Sequence, residues 1–123
     1  MTVVRESSVY VPTMARLASV EEMTDLEKLF TLELPEGTSL GNEPGQFVEV
    51  SLLGIGEAPI SVSSSPSRSN GKLELCVRRV GDVTNAMHTL EPGAFLGIRG
   101  PFGNPFPIAK MKGKDMLFAA GGL

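Results

Sequence analysis

The chain has 123 residues, of which 41% are hydrophobic and 20% charged, and its formal net charge is −3. That suits one domain with a genuine core and gives no broad electrostatic footing for nucleic acid or an anionic membrane. Cys76 and His88 are the only cysteine and histidine, which excludes an internal disulfide, a CxxC site, an iron–sulfur ligand set and a multi-histidine metal centre.

Met1 to Pro12 has no clear period and reads as a tail or leading arm. Thr13 to Val20 mixes polar residues with Met14, Leu17 and Val20 and is a strand candidate, closed by a polar turn at Glu21 to Asp25. In Lys28 to Leu34, Phe30, Leu32 and Leu34 share one face, and in Gln46 to Leu53 Val48, Val50 and Leu52 do the same. Pro59 to Ser65 is predicted as a fourth strand, with Ile60 and Val62 alternating against Ser61 and Ser63. Pro59 cannot donate to a ladder, so the strand belongs at a sheet edge. Asn70-Gly71 is a hairpin signal. Lys72 to Val80 follows, with Leu73, Leu75 and Val77 inward and Glu74, Cys76 and Arg78 outward.

At Gly81 the period changes. Val83, Ala86, Met87 and Leu90 lie at i, i+3, i+4 and i+7 and predict a short helix. Ala94 to Gly100 is a sixth strand, and Pro101 to Pro107 a rigid, turn-rich exit. Met116 to Ala120 reads as a buried strand running into Gly121-Gly122, as a βαβ nucleotide-binding unit opens. The expected architecture is all-β: a six-stranded antiparallel Greek-key barrel with one short helix between strands 5 and 6. Residues 1–10 form the arm, 11–107 the barrel, and 108–123 a linker and the truncated start of an α/β domain. No apolar run approaches a membrane span, and the N-terminal stretch lacks a signal-peptide layout. A reduced, cytoplasmic setting is expected.

The stretches PGQFVEV, EAPISVSSSP, LELCVRRVGDVTNAMHTL, PGAFLGIRGPFGNPF and DMLFAAGGL, in that order, resemble the FAD-binding domain of the ferredoxin–NADP reductase family. Within it they are most similar to flavoprotein electron-transfer subunits, namely those of sulfhydrogenase (its gamma subunit), anaerobic sulfite reductase and dihydroorotate dehydrogenase. The resemblance implies that 11–107 holds FAD and that 108–123 leads into a nicotinamide-binding domain. The intact protein would then pass electrons between NAD(P)H and an iron–sulfur protein or catalytic subunit of a larger redox complex through flavin N5. The fragment alone would be inactive, and an exposed cut face would allow it to dimerise. Neither nucleic acid nor membrane insertion enters this reading.

The family's flavin strand has the pattern Arg-x-Tyr-Ser/Thr, and here it is Ala58-Pro59-Ile60-Ser61. Ser61 matches the hydroxyl facing N5 and is the catalytic candidate, since a hydroxyl can donate to the oxidised ring and accept from the reduced one. Ala58 and Ile60 stand where the pattern has a phosphate-pairing arginine and a stacking tyrosine. Cys76, Val77 and Arg78 would run beside the flavin, with Arg78 or Arg79 free to reach a phosphate. Gly81, Val83 and Thr84 would border the pyrophosphate at the start of the helix. Ordinary alternatives stand beside each assignment: helix capping for Gly81 and Thr84, a solvated face for the arginines, packing for Cys76, and a partly exposed helix position for His88. The alternative for the whole chain is a non-catalytic barrel that has lost flavin and serves as a scaffold.

Overall fold

The computed structural model describes residues 8–123. The chain forms β1 (Thr13–Glu22), β2 (Glu27–Glu33), β3 (Phe47–Leu52), β4 (Gly56–Ser61), β5 (Lys72–Arg78), α1 (Asp82–Met87), β6 (Phe95–Phe102) and α2 (Ile108–Met111). The six strands make one sheet in the order β4-β3-β6-β1-β2-β5, with every pairing antiparallel. The insertion of β6 between β3 and β1, and of β2 between β1 and β5, supplies the crossovers of a Greek key.

Period-2 alternation explains the strands. Phe30 and Leu32 on β2, Val48 and Val50 on β3 and Leu75 on β5 are fully buried, and Leu73 and Val77 nearly so. With Ala15, Leu17, Leu96, Ile98 and Met87 they form one core. Each large side chain so buried contributes roughly 1.5–3 kcal/mol of transfer free energy. β4 lies at one end of the sheet order and β5 at the other, yet the chain beyond β4 turns back onto β5. Ser63 N–H donates to the Glu74 carbonyl at 2.9 Å, Glu74 N–H to Ser64 Oγ at 3.0 Å and Cys76 N–H to Ser63 Oγ at 3.2 Å. The two outer strands meet through these bonds, and the sheet curls as the expected barrel requires.

α1 brings Met87 into the core, with Val83, Ala86 and Leu90 packed against it, as the helical spacing predicts. Among the described residues no helix is long and apolar enough to cross a membrane.

Several boundaries differ from expectation. β1 runs on to Glu22 because Glu21 and Glu22 pair with Leu29 and Lys28, and its register shifts between Leu17 and Ser19. β4 covers Gly56–Ser61 rather than Pro59 to Ser65, since Leu52 pairs as far as Gly56 across a tight turn. β6 passes through Pro101 to Phe102, which pairs with Phe47. Asn70 and Gly71 turn the chain with φ of 51° and 77°; Lys72 N–H closes onto the Ser69 carbonyl. That turn feeds β5 without joining two laddered strands. α2 has no counterpart in the sequence pattern. The buried strand expected at Met116 to Ala120 does not form: the segment has no strand pairing, and Leu117 and Phe118 are 94% and 80% exposed. Among the described residues no strand pairs with it. The expected leading arm falls mostly outside the described residues.

Candidate functional site

The expected site residues come from three elements that converge at the junction of β4, β5 and α1. β4 is an outer strand paired only with β3: Ala58 sits opposite Val50, Pro59 opposite Glu49, Ile60 opposite Val48 and Ser61 opposite Phe47. Directly paired residues share a face, so Ala58 and Ile60 turn to the same side as buried Val50 and Val48. Both are half-buried, and Ile60 packs against the core. Pro59 and Ser61 face solvent. The four residues therefore divide. Ile60 fills space inside the barrel, whereas Ser61 offers an exposed hydroxyl that makes no hydrogen bond to protein among the described residues.

The next two hydroxyls are already committed. Ser63 and Ser64 accept from the Cys76 and Glu74 amides and hold the turn after β4 against β5. This contact brings Cys76 beside the chain leaving β4, and Arg78, two residues on, shares its outward face, with Val77 buried between them. Burial pushes the Cys76 thiol above its ordinary range, and the Glu27 carboxylate adds to the effect. At neutral pH it is a neutral thiol, suited to lie beside a ring and unsuited to act as a thiolate nucleophile. The Arg78 guanidinium lies 3.7 Å from Glu27 Oε1 with its side chain half exposed, a loose pairing that leaves donors for another anion. Arg79 is exposed, and its amide donates to the Leu26 carbonyl.

The β5–α1 turn is closed by Thr84. Its Oγ1 accepts from the amides of Val80 and Gly81, both at 2.9 Å, and donates to the Gly81 carbonyl at 3.1 Å. Thr84 is 93% buried in this role, being 7% exposed, so the side chain works as a helix cap. Val83 meets the start of β4, where a Cβ built on Gly56 would come within 3.4 Å of it. α1 thus stands beside the same strands that carry Ser61 and Cys76.

Sequence reasoning missed the strongest polar contact nearby. Arg99 on β6 reaches across β3 to Glu57 on β4 in a two-point contact, Nε to Oε2 at 2.8 Å and Nη2 to Oε1 at 2.6 Å. Its Nη1 donates to the Val9 carbonyl at 2.6 Å, and its plane lies over Phe102. The hydrogen bond from Arg99 holds the Glu57 carboxyl below its ordinary value despite an opposing cost of burial. The partners are 42 positions apart, so no local pattern could have announced the pair.

A flavin fits these residues by the chemistry of the donors. A free hydroxyl, a neutral thiol and the open edge of β4 suit an uncharged ring that hydrogen-bonds in two redox states, and the half-free Arg78 suits its anionic tail. The site is an open face. A larger concavity, about 430 Å³ and apolar, lies elsewhere, between Pro12, Met14, Leu53 and Ile55. Among the described residues no cluster of acidic, histidine or cysteine side chains is arranged to hold a metal.

Residues 14–106 match the family described as oxidoreductase FAD-binding domain. The chain is 46% identical over 112 residues to sulfhydrogenase 2 subunit gamma of Pyrococcus furiosus, covering 89% of this chain and 38% of that one. It is 35% identical over 117 residues to a probable dihydroorotate dehydrogenase B (NAD(+)) electron transfer subunit of Methanothermobacter thermautotrophicus, covering 94% and 41%. It therefore spans less than half the length of these relatives. Among solved structures it is similar to an Amycolatopsis cytochrome P450 reductase, with TM-score 0.70, 26% identity and coverage of 82% and 31%. A second similarity is to an NADH-dependent reduced ferredoxin-NADP oxidoreductase, with TM-score 0.65, 26% identity and coverage of 74% and 33%. With the family match spanning residues 14–106 and these relatives beside it, the chain belongs to the oxidoreductase FAD-binding domain family.

Proposed function

We propose that the chain holds FAD against the junction of β4, β5 and α1 as part of an electron-transfer subunit. The observation that carries this reading is the exposed Ser61 hydroxyl, without a protein partner among the described residues, set by the serine seam beside neutral Cys76 and half-free Arg78. The flavin, when bound, supplies the conversion between two-electron and one-electron transfer. The chain's own residues bind and orient. Ser61 is the catalytic candidate, donating to or accepting from N5 as the redox state requires, with Ala58, Pro59 and Ile60 forming the strand beneath the ring. Cys76 and Val77 flank it, and Arg78 faces a phosphate. Gly81, Val83 and Thr84 shape the turn against the pyrophosphate, Thr84 through its cap.

In this reading the intact protein takes electrons from NAD(P)H and passes them to an iron–sulfur partner or catalytic subunit of a redox complex. Residues 108–123 lead toward a nicotinamide-binding domain, and the exposed Leu117 and Phe118 are covered there. The likeness to subunits of sulfhydrogenase and dihydroorotate dehydrogenase B supports this.

The test is titration of the purified chain with FAD, followed by flavin absorbance and fluorescence. Saturable binding is expected. Ser61→Ala should weaken it about two- to tenfold, the range for loss of one hydrogen bond. No binding by the wild type would contradict the reading and leave a barrel retained for subunit contacts.

A further inference from the structure

His88 closes α1, and its ring and main chain bind three parts of the barrel at once. The ring nitrogen Nε2 lies 2.8 Å from the Val77 carbonyl, so Nε2 carries the hydrogen and donates. The ring packs on Phe30, with centroids 5.7 Å apart. The His88 carbonyl accepts from Lys28 Nζ at 3.1 Å. Lys28 and Val77 are themselves paired across β2 and β5. The arrangement is a clamp between helix and strand.

The peptide that it grips matters. The Val77 carbonyl belongs to the peptide plane joining Val77 to Arg78, and that plane is rigid. Fixing the carbonyl fixes the direction of the Arg78 N–Cα bond, from which its side chain starts. The backbone at this end of β5 is also held by the pairing of Arg78 with Glu27, by the Arg79 amide on the Leu26 carbonyl and by Thr84 on the Val80 amide. The Arg78 guanidinium is the loose part, half exposed and 3.7 Å from Glu27. A six-residue helix is too short to be stable alone, and His88 joins α1 to the end of β5 alongside the Thr84 cap on the Val80 amide.

We propose that His88 is a positioning residue for Arg78: its hydrogen bond to the Val77 carbonyl aims the guanidinium at the flavin phosphate. The inference rests on the flavin reading above and adds to it a residue that touches no ligand. FAD and riboflavin share the ring and differ in the pyrophosphate and the adenosine it carries, so a residue acting only through Arg78 affects the first and spares the second. The Arg78→Ala background separates that contact from the adenosine.

The experiment measures FAD and riboflavin affinity for wild type, His88→Leu, His88→Gln, Arg78→Ala and the double variant His88→Leu with Arg78→Ala. His88→Leu should lower FAD affinity about three- to tenfold and leave riboflavin within about twofold, the size of one hydrogen bond acting on one contact. His88→Gln, which places an amide N–H near the Nε2 position, should restore most of the loss. In the Arg78→Ala background His88→Leu should have no further effect, because coupled residues are not additive. Equal losses for FAD and riboflavin, or equal losses in both arginine backgrounds, would overturn the proposal and leave His88 a general packing residue. Unchanged FAD affinity in His88→Leu would also overturn it. If the leucine variant does not fold, His88→Asn, whose amide falls short of Val77, takes its place with the same outcomes. A wild type that binds no flavin fails earlier, at the flavin reading itself, and takes this inference with it.

Discussion

The two edges of β5 are built in opposite ways. Toward β2 it pairs along its whole length, from Glu27↔Arg78 to Glu33↔Lys72, over a wall of Phe30, Leu32, Leu73, Leu75 and Val77. Toward β4 there is no ladder, only the Ser63 amide and two serine hydroxyls crossing to Glu74 and Cys76. The first edge is held by apolar burial and continuous backbone bonding. The second is held by a few polar contacts that solvent can compete for. The candidate site sits on the second edge, where side chains stay exposed, and borrows its rigidity from the first.

Replacing Phe30 with alanine tests the strong edge. Phe30 is fully buried, and removal should cost about 3–5 kcal/mol, read from the midpoint of urea unfolding. A loss well below that range would mean that the β2–β5 wall is not the main support. Thr84→Val removes the acceptor for the Val80 and Gly81 amides while keeping the shape of the side chain; a loss of about 1–2 kcal/mol is expected. Because that loss arises without ligand, it separates the cap from any contact with FAD. On the weak edge, Ser63→Ala should cost about 1 kcal/mol or less. Its clearer mark is faster hydrogen exchange at the Cys76 amide with little change at Leu29 and Phe30; uniform acceleration would show that the two edges open together.

The smallest effect belongs to Glu57 and Arg99. With the Glu57 carboxyl lowered by Arg99 from its ordinary 4.5, the contribution is present above that value and fades as pH falls through the lower folded value. Both side chains are partly exposed, so screening keeps the effect small. Thermal melts of Glu57→Gln and wild type should converge in acid and separate slightly near neutrality. A difference that grows toward acid would reverse the assignment.

The strong edge was legible in the sequence and the weak edge only partly so. Phe30, Leu32, Leu73, Leu75 and Val77 announce their faces through alternation, because burial selects every second residue. Along Ile60 to Ser64 the same alternation shows a hydroxyl face, but it cannot say which hydroxyls are spent on the seam. Ser63 and Ser64 are committed, and Ser61 is not. Arg99 and Glu57 meet across an intervening strand, so the pair depends on a strand order that periodicity does not encode. At Met116 to Ala120 apolar composition suggested a strand, yet a strand needs a neighbour, and the described residues provide none.

The central claim is that FAD lies on the weak edge. Hydrogen exchange of the chain with and without saturating FAD tests it most directly. The account predicts new protection at Ser61–Ser63, Cys76–Arg78 and Gly81–Thr84, with Leu53–Gly56 beside the apolar groove unchanged. Protection centred on Leu53–Gly56, or none anywhere at saturation, would contradict it.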